Sequence, residues 1–295
     1  MKTLAIATPT RNRVSALKQN LTGMIPELKQ YDIPVYICDD STNDDTEKMI
    51  YELSREYPKI FYTKNTPPKG HDKNCINTIT KPSTDYVWYL GDSAIALPGT
   101  ISLIFRYIQE KPDFVFLNRQ IPRLHLGYTG KITDFQKFIV DNLWHITLTS
   151  ATVYSRKALT LGLEDFDIAT CRNFAQLGII MNAVRKGCNN AIWIQQKTMI
   201  ANKSGTKSYW ASKTVPIFAS DWATLVRSYS DILPQNKINS IIRSHSKNTG
   251  ILGFFSLLNL RLHKVYTEEI REQTWDDLVI ASTLPKWLLK ALAAK

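Results

Sequence analysis

The chain has 295 residues, of which 44% are hydrophobic, 11% aromatic and 21% charged, so it carries enough apolar surface for one large core or two modest ones and is not a disordered chain. Its net charge of +11 is unevenly spread: residues 180–295 carry 16 Lys and Arg against 7 Asp and Glu, whereas residues 1–179 carry 21 against 19. The basic C-terminal third points to an anionic partner, and the lack of an interleaved basic and aromatic face excludes the common nucleic-acid modules.

From the N-terminus, "LAIATPT" (4–10) reads as a strand ending in a turn. Its apolar run is too short for a secretory leader. "VSALKQNLTGMIPEL" repeats apolar residues at helical spacing, with Val14, Leu17, Leu21, Met24 and Ile25 on one stripe. "PVYICDD" (34–40) is a second strand, and "STNDDTEKMIYELSREY" a helix that opens on capping residue types. "KIFYTKN" (59–65) is a third strand, "DKNCINTIT" a short helix and "YVWYL" (86–90) a fourth strand. "LPGTISLIFRYIQEKP" is then a helix with Pro98 near its first turn. This alternation predicts a parallel sheet covered by helices on both faces, with ligands at the carboxyl ends of its strands.

Those ends collect a distinctive set. Thr8, Pro9, Thr10, Arg11, Asn12 and Arg13 follow the first strand, Asp39 and Asp40 the second, the "KNTPPKGHDKN" loop with Lys73 the third, and Asp92 the fourth. No Gly-rich phosphate loop occurs, so arginines on the first loop would take its place, because a guanidinium fork matches phosphate oxygens. A carboxylate such as Asp40 accepts from a base N–H and one such as Asp92 from a ribose hydroxyl. The set suits a nucleotide that carries a diphosphate. The four cysteines form no C-x-x-C pair and the five histidines show no H-x-x-x-H spacing, so no zinc site is expected.

Taken in order, "TPTRNR", "VYICDDSTNDDTE", "KNTPPKGHDKNCINTI" and "DYVWYLGDS…LPGTI" resemble the nucleotide-binding half of a GT-A glycosyltransferase of the large family 2. The resemblance covers residues 3–110, continues as a general likeness to residue 200, and is to bacterial O-antigen and capsule sugar transferases, including the abequosyltransferase-like group. It implies an α/β fold of GT-A type, a Rossmann-like, mostly parallel sheet flanked by helices, followed by a helical C-terminal region. It also implies a nucleotide-sugar donor held by Thr8, Pro9, Arg11, Asp39 and Asp40, with Asp40 on the base. Relatives place two or three acids after the fourth strand, one for the ribose and others for a divalent cation, Mn²⁺ or Mg²⁺. Here those positions read Asp92, Ser93 and Ala94. Asp92 is left as the ribose-side acid; either Asp92 and the diphosphate hold the metal with waters, or the metal is absent and Arg11, Arg13, Lys69 or Lys73 offset the leaving-group charge.

Inverting members deprotonate the acceptor with a carboxylate on a helix after the sheet. Counting back from Arg185, Lys186 and Gly187, that place falls on Ala175 and Gln176. Gln accepts no proton at neutral pH and suits a binding role. The base is then expected on Asp165 or Asp167 of the preceding loop. His145 in "LWHITLTSATVYS", read as lying before or at the start of a β-branched strand, is an expected acceptor contact.

The C-terminal third begins with "SGTKSYWASKT" (204–214), where relatives have a loop closing over the donor and where Lys203, Lys207 and Lys213 would meet phosphate. Helices follow, ending in "STLPKWLLKALAAK", whose Trp287 and lysines suit an anionic membrane face. The organisation expected is a donor- and acceptor-binding domain over 1–200 and a loop plus basic helices over 201–295. The protein is expected in the cytoplasm, peripheral on the inner face of the membrane, acting on a glycan or lipid-linked acceptor. A non-catalytic module that binds nucleotide-sugar or glycan in support of another transferase stays open beside that reading.

Overall fold

The computed structural model describes residues 2–119, 127–202 and 210–293; Lys203 and Lys207 of the expected closing loop lie outside them. The described residues form two compact units, one built from 2–119, 127–135, 146–166 and 175–202, the other from 136–145, 167–174 and 210–293.

The first unit opens with β1 (Leu4–Thr10), α1 (Val14–Tyr31), β2 (Val35–Asp39), α2 (Asp45–Glu56), β3 (Ile60–Lys64), α3 (His71–Ile79) and β4 (Tyr86–Tyr89), in the alternation the sequence predicts. β5 (Ala94–Ala96), α4 (Thr100–Ile108), β6 (Phe114–Leu117) and β7 (Gly130–Lys131) follow. Next come α5 (Phe135–Ile146), most of which belongs to the second unit, β8 (Thr152–Ser155), α6 (Arg156–Leu163), α7 (Ala175–Arg185), β9 (Ala191–Ile194) and β10 (Met199–Ala201). Among the described residues eight strands make one sheet in the order β3-β2-β1-β4-β8-β6-β9-β7, while β5 and β10 pair apart from it. The pairs β3–β2, β2–β1, β1–β4 and β6–β9 are parallel; β8 runs antiparallel to both β4 and β6, and β7 to β9.

Alternate residues of the central strands sort the core into two layers. Leu4 and Ile6, Val35 and Ile37, and Tyr86 and Trp88 join the buried stripes of α1, α2 and α4 in one cluster. Ala5, Ala7 and Val87, also buried, point to the opposite face, where α3 lies on β1 and β2 and α7 lies on α3. The buried run of four residues in β4 reflects this two-sided cover. Pro98 sits outside α4, because Gly99, with φ 85°, is the cap residue. The carboxylate of Glu27 in α1 then accepts from the backbone N–H groups of Gly99 (2.7 Å) and Ser102 (3.0 Å), supplying the anion that a helix start favours. Of the two placements expected for His145, it takes the one before the strand: α5 continues through His145 to Ile146, and the strand begins only at Thr152. Thr and Ile at 146–149 carry β propensity, but the apolar stripe of α5 decides the matter.

Helices α6 and α7 meet at Gly162, where a Cβ would lie 2.4 Å from the carbonyl oxygen of Ile179. Asn182 fastens the same junction, its amide donating to the carbonyls of Gly162 (3.0 Å) and Glu164 (2.9 Å).

The second unit gathers the π-helical turn Pro216–Asp221, α8 (Trp222–Ser228), α9 (Ile238–Thr249), α10 (Phe254–Leu262), α11 (Glu268–Ala281) and α12 (Lys286–Leu292). Trp222 is fully buried, and its indole N–H donates to the Ile242 carbonyl (2.9 Å). His245 of α9 lies 4.8 Å from the Phe218 ring and 5.6 Å from that of Trp222, centroid to centroid. Burial in these aromatics pushes its pKa down to about 3.

Two outcomes follow from this packing. Gly162→Ala must push two helix backbones apart and is expected to lower stability by about 1–3 kcal/mol, read as a fall in chemical-denaturation midpoint. His245 is neutral in the fold and takes up a proton only when the chain unfolds. Its contribution is therefore intact above the unfolded pKa near 6.5 and is lost as pH falls from there toward 3. His245→Phe should flatten the thermal-midpoint profile across that window.

Candidate active site

Four loops leave the carboxyl ends of β1, β2, β3 and β4, and hydrogen bonds tie those that are neighbours in the sheet order β3-β2-β1-β4. The backbone N–H of Asp40 donates to the Thr10 carbonyl (2.9 Å). The N–H of Asn12 donates to Ser41 Oγ (2.7 Å), and the N–H of Thr42 to Asn12 Oδ1 (3.2 Å). Asn12 takes φ 53°, a left-handed conformation that Asn tolerates better than most residues. The loops after β1 and β2 are thereby latched.

Asp39 is fully buried, and its carboxylate accepts from the backbone N–H of Ser41 (2.8 Å), the Ser41 hydroxyl and the phenol of Tyr62 (2.9 Å). Burial pushes the Tyr62 phenol up, and its bond to Asp39 adds to the effect. Asp40, 2% exposed, points to the third loop. It accepts from Asn65 Nδ2 (2.7 Å) and from the backbone N–H groups of Lys69 (3.1 Å) and Gly70 (2.7 Å). Asn74 joins this knot, accepting from Asn65 (2.8 Å) and donating to the Cys38 carbonyl (3.1 Å). Lys69 and Lys73 present exposed side chains beside it.

Asp92 closes the set. One of its oxygens accepts from the Thr10 hydroxyl (2.9 Å), the other from the Arg13 guanidinium (3.2 Å), and the backbone N–H of Arg11 donates as well. Burial raises the Asp92 pKa from its ordinary value, while Arg13, Thr10 and the Arg11 N–H act in the opposite direction. Gly91 is required by close approach: a Cβ there would sit 2.7 Å from Thr149 Oγ1, and its N–H donates to Ser150 Oγ (3.2 Å). The 147–150 turn is anchored from two further sides, by the Trp88 indole on the Ser150 carbonyl (3.0 Å) and by the Gln176 amide on the Thr147 carbonyl (2.8 Å).

The structure thus brings together Thr10, Arg11, Arg13, Asp39, Asp40 and Asp92, with Pro9 half-buried on the other face of β1 from Thr8 and Thr10. The hydroxyl of buried Thr8 has no partner among the described residues, nor has Oε1 of buried Gln176. Asp165 is not brought to this edge. It pairs with Lys186 (3.5 Å), which follows the C-terminal end of α7, whereas Gln176 lies at the N-terminal end of that helix. The chain leaves that C-terminal end to start β9, so Asp165 sits where parallel strands begin. Asp167 is an exposed turn former in the second unit; its bonds from the Thr170 hydroxyl and the Ala169 N–H hold its pKa below the usual carboxylate range. His145, also in the second unit, is fully buried in α5 with its ring 5.7 Å from that of Trp144.

A divalent cation does not fit the residues present. Asp92 is committed to a guanidinium and two further donors, and Ser93 and Ala94 offer no carboxylate. Among the described residues, no three His, Cys, Asp or Glu side chains come together in a metal-holding group. Sequence reasoning missed Ser41, Tyr62 and Asn65, which hold the paired acids, and Arg119, whose guanidinium reaches to within 3.5 Å of the Ser93 carbonyl. It missed Asn202 too, whose N–H donates to that same carbonyl (2.9 Å).

The chain is similar to known proteins in sequence and in fold. The model of glycosyl transferase family 2 matches residues 5–162. Abequosyltransferase RfbV of Salmonella typhimurium is 25% identical over 119 residues, 40% of this chain and 36% of that protein. The GalNAc(5)-diNAcBac-PP-undecaprenol beta-1,3-glucosyltransferase of Campylobacter jejuni is 28% identical over 135 residues, 44% of this chain and 43% of its own length. The matches therefore span less than half the length of these curated relatives. Among solved structures, S. aureus TarS 1-349 in complex with UDP-GlcNAc superposes with a TM-score of 0.64 at 16% identity, covering 99% of this chain and 84% of that one. Mannosyltransferase PcManGT from Pyrobaculum calidifontis, in complex with GDP-Man and Mn²⁺, does so at 0.59 and 11% identity, over 95% and 86%. Both share the fold.

Asp40→Ala strands the N–H groups of Lys69 and Gly70 and the Asn65 amide. It is expected to cost about 1–3 kcal/mol of stability, with faster amide exchange at Lys69 and Gly70 while β1 and β4 keep their protection.

Proposed function

The chain belongs to glycosyl transferase family 2, and on that premise we propose that it transfers a sugar from a nucleoside-diphosphate donor to a glycan, inverting the anomeric centre in one displacement. The observation that carries this reading is the joining of Thr10, Arg13 and Asp92 by direct hydrogen bonds beside the paired acids Asp39 and Asp40. Cationic and carboxylate groups at one strand-end edge suit phosphate on one side and nucleoside hydroxyl or N–H donors on the other. The named complexes of TarS with UDP-GlcNAc and of PcManGT with GDP-Man support the donor class.

In the displacement the acceptor oxygen bonds to the sugar's anomeric carbon as the bond from that carbon to the diphosphate breaks. The electron pair leaves with the phosphate oxygen, and the acceptor's proton passes to a carboxylate. For that carboxylate the reading keeps Asp167, since Glu164 and Asp165 are tied to Lys186. Gln176, with its buried Oε1 lacking a partner among the described residues, is assigned to an acceptor hydroxyl. Thr8, Pro9, Lys73 and Lys213 are kept as donor contacts, and His145 as support for the acceptor side.

The acceptor is proposed to be a lipid-linked oligosaccharide of a bacterial surface polymer, which the name of the Campylobacter relative supports. In the second unit Phe255, Leu262 and Trp287 are 84%, 74% and 69% exposed, and Lys286 and Lys290 lie near Trp287 in sequence, as suits a peripheral contact with an anionic membrane. No helix among the described residues is long and apolar enough to cross a membrane.

The test is transfer of radiolabel from a panel of UDP-, GDP- and dTDP-sugars into the lipid extract of bacterial membranes. Labelled lipid is the expected outcome, and Asp167→Asn should slow its formation about 10²-fold or more with nucleotide affinity unchanged. Nucleotide binding without transfer of any donor would instead favour the non-catalytic reading, which Ser93, Ala94 and Gln176 motivate.

A further inference from the structure

We infer that Arg13 and Arg119 form a resident cationic clamp for the donor's diphosphate, in the place that relatives give to a divalent ion. The inference rests on the glycosyltransferase reading and names how its leaving group is held.

Three features of the turn after β4 carry it. First, the turn contains one acid, and both its oxygens are taken: Thr10 donates to one and Arg13 to the other. A hard dication binds several oxygens and prefers carboxylates that are not already paired. Here it would share a single carboxylate with a guanidinium 3.2 Å away, like charge against like. Second, this ion pair is sheltered, with side-chain exposures of 15% for Arg13 and 12% for Asp92, so solvent screens it little. Third, a second guanidinium reaches the same turn from another strand. Arg119, two residues beyond β6, comes within 3.5 Å of the Ser93 carbonyl. That carbonyl is also fixed by the Asn202 N–H, so the turn is held from β1, β6 and β10 at once.

A guanidinium has five donors and cannot be neutralised in a protein, so Arg13 is able to serve Asp92 and a phosphate oxygen together. Two such groups beside one turn supply the compensating charge a diphosphate needs. As the anomeric bond breaks, its electron pair moves to the terminal phosphate oxygen, and fixed cations there stabilise the charge without reorganising. Asp92 acts as a positioning residue for Arg13 in this arrangement.

The experiment is titration calorimetry of the full chain with UDP, GDP, ADP, CDP and dTDP, in EDTA and in excess Mn²⁺. The expected result is that whichever member binds does so equally well in both buffers. Arg13→Lys and Arg119→Gln are each expected to weaken that nucleoside diphosphate about 10- to 100-fold and to leave the parent nucleoside unaffected. Arg13→Lys keeps a charge against Asp92, so an unchanged thermal midpoint separates the clamp from a folding defect. Binding that requires Mn²⁺, or wild-type affinity in Arg119→Gln, overturns the clamp and leaves the glycosyltransferase reading standing. If no member binds in either buffer, that reading falls, and the clamp with it.

Discussion

A carboxylate buried at the end of an apolar strand must be compensated or it destabilises the fold, because an unpaired charge in such a place costs several kcal/mol. Asp92 meets that demand with Thr10, Arg13 and the Arg11 N–H, from the last residue of β1 and the loop that follows it. The need to compensate one charge therefore decides how two loops meet. The Arg13 side chain is drawn inward when it would otherwise stay in water, and helix α1 begins at the next residue. The strand-end edge is organised around that pair, and the groups proposed for the donor are its neighbours.

The same logic runs through Asp39 and Asp40. Adjacent residues of an extended chain point opposite ways, and these two acids divide the labour accordingly: Asp39 faces Ser41 and Tyr62, Asp40 faces the connection from β3 to α3. Each is satisfied by neutral donors, where a second acid beside Asp92 would have brought like charge to the same turn. Read this way, Ser93 and Ala94 keep the Arg13 pair undisturbed.

Much of the first unit was legible because its signals are local. The period of α1 and the unbroken apolar run of β4 depend on neighbours a few residues away, and both appear where the pattern puts them. The candidate site was legible in part: the acids at the strand ends are visible in the chain, but the donors that hold them, such as Asn65, Tyr62 and Arg119, come from places only the fold brings near. The start of β8 was not legible, for a different reason. The β-branched residues of 145–155 favour extension, yet α5 takes them to Ile146 and the sheet accepts only Thr152–Ser155, antiparallel between β4 and β6. Nothing local announces that insertion. The pairing of β5 with β10 is hidden likewise, since its partners lie about a hundred residues apart.

The three donors that Asp40 gathers from the β3–α3 connection have a bearing on the economy of ligand capture. A loop that must settle around its guest spends part of the interaction on lost freedom. Here the settling has been done by the chain itself, since Lys69 and Gly70 are fixed through their own amides and the Lys69 side chain is left in solvent. A guest of the kind proposed for this edge would meet a rim already in place.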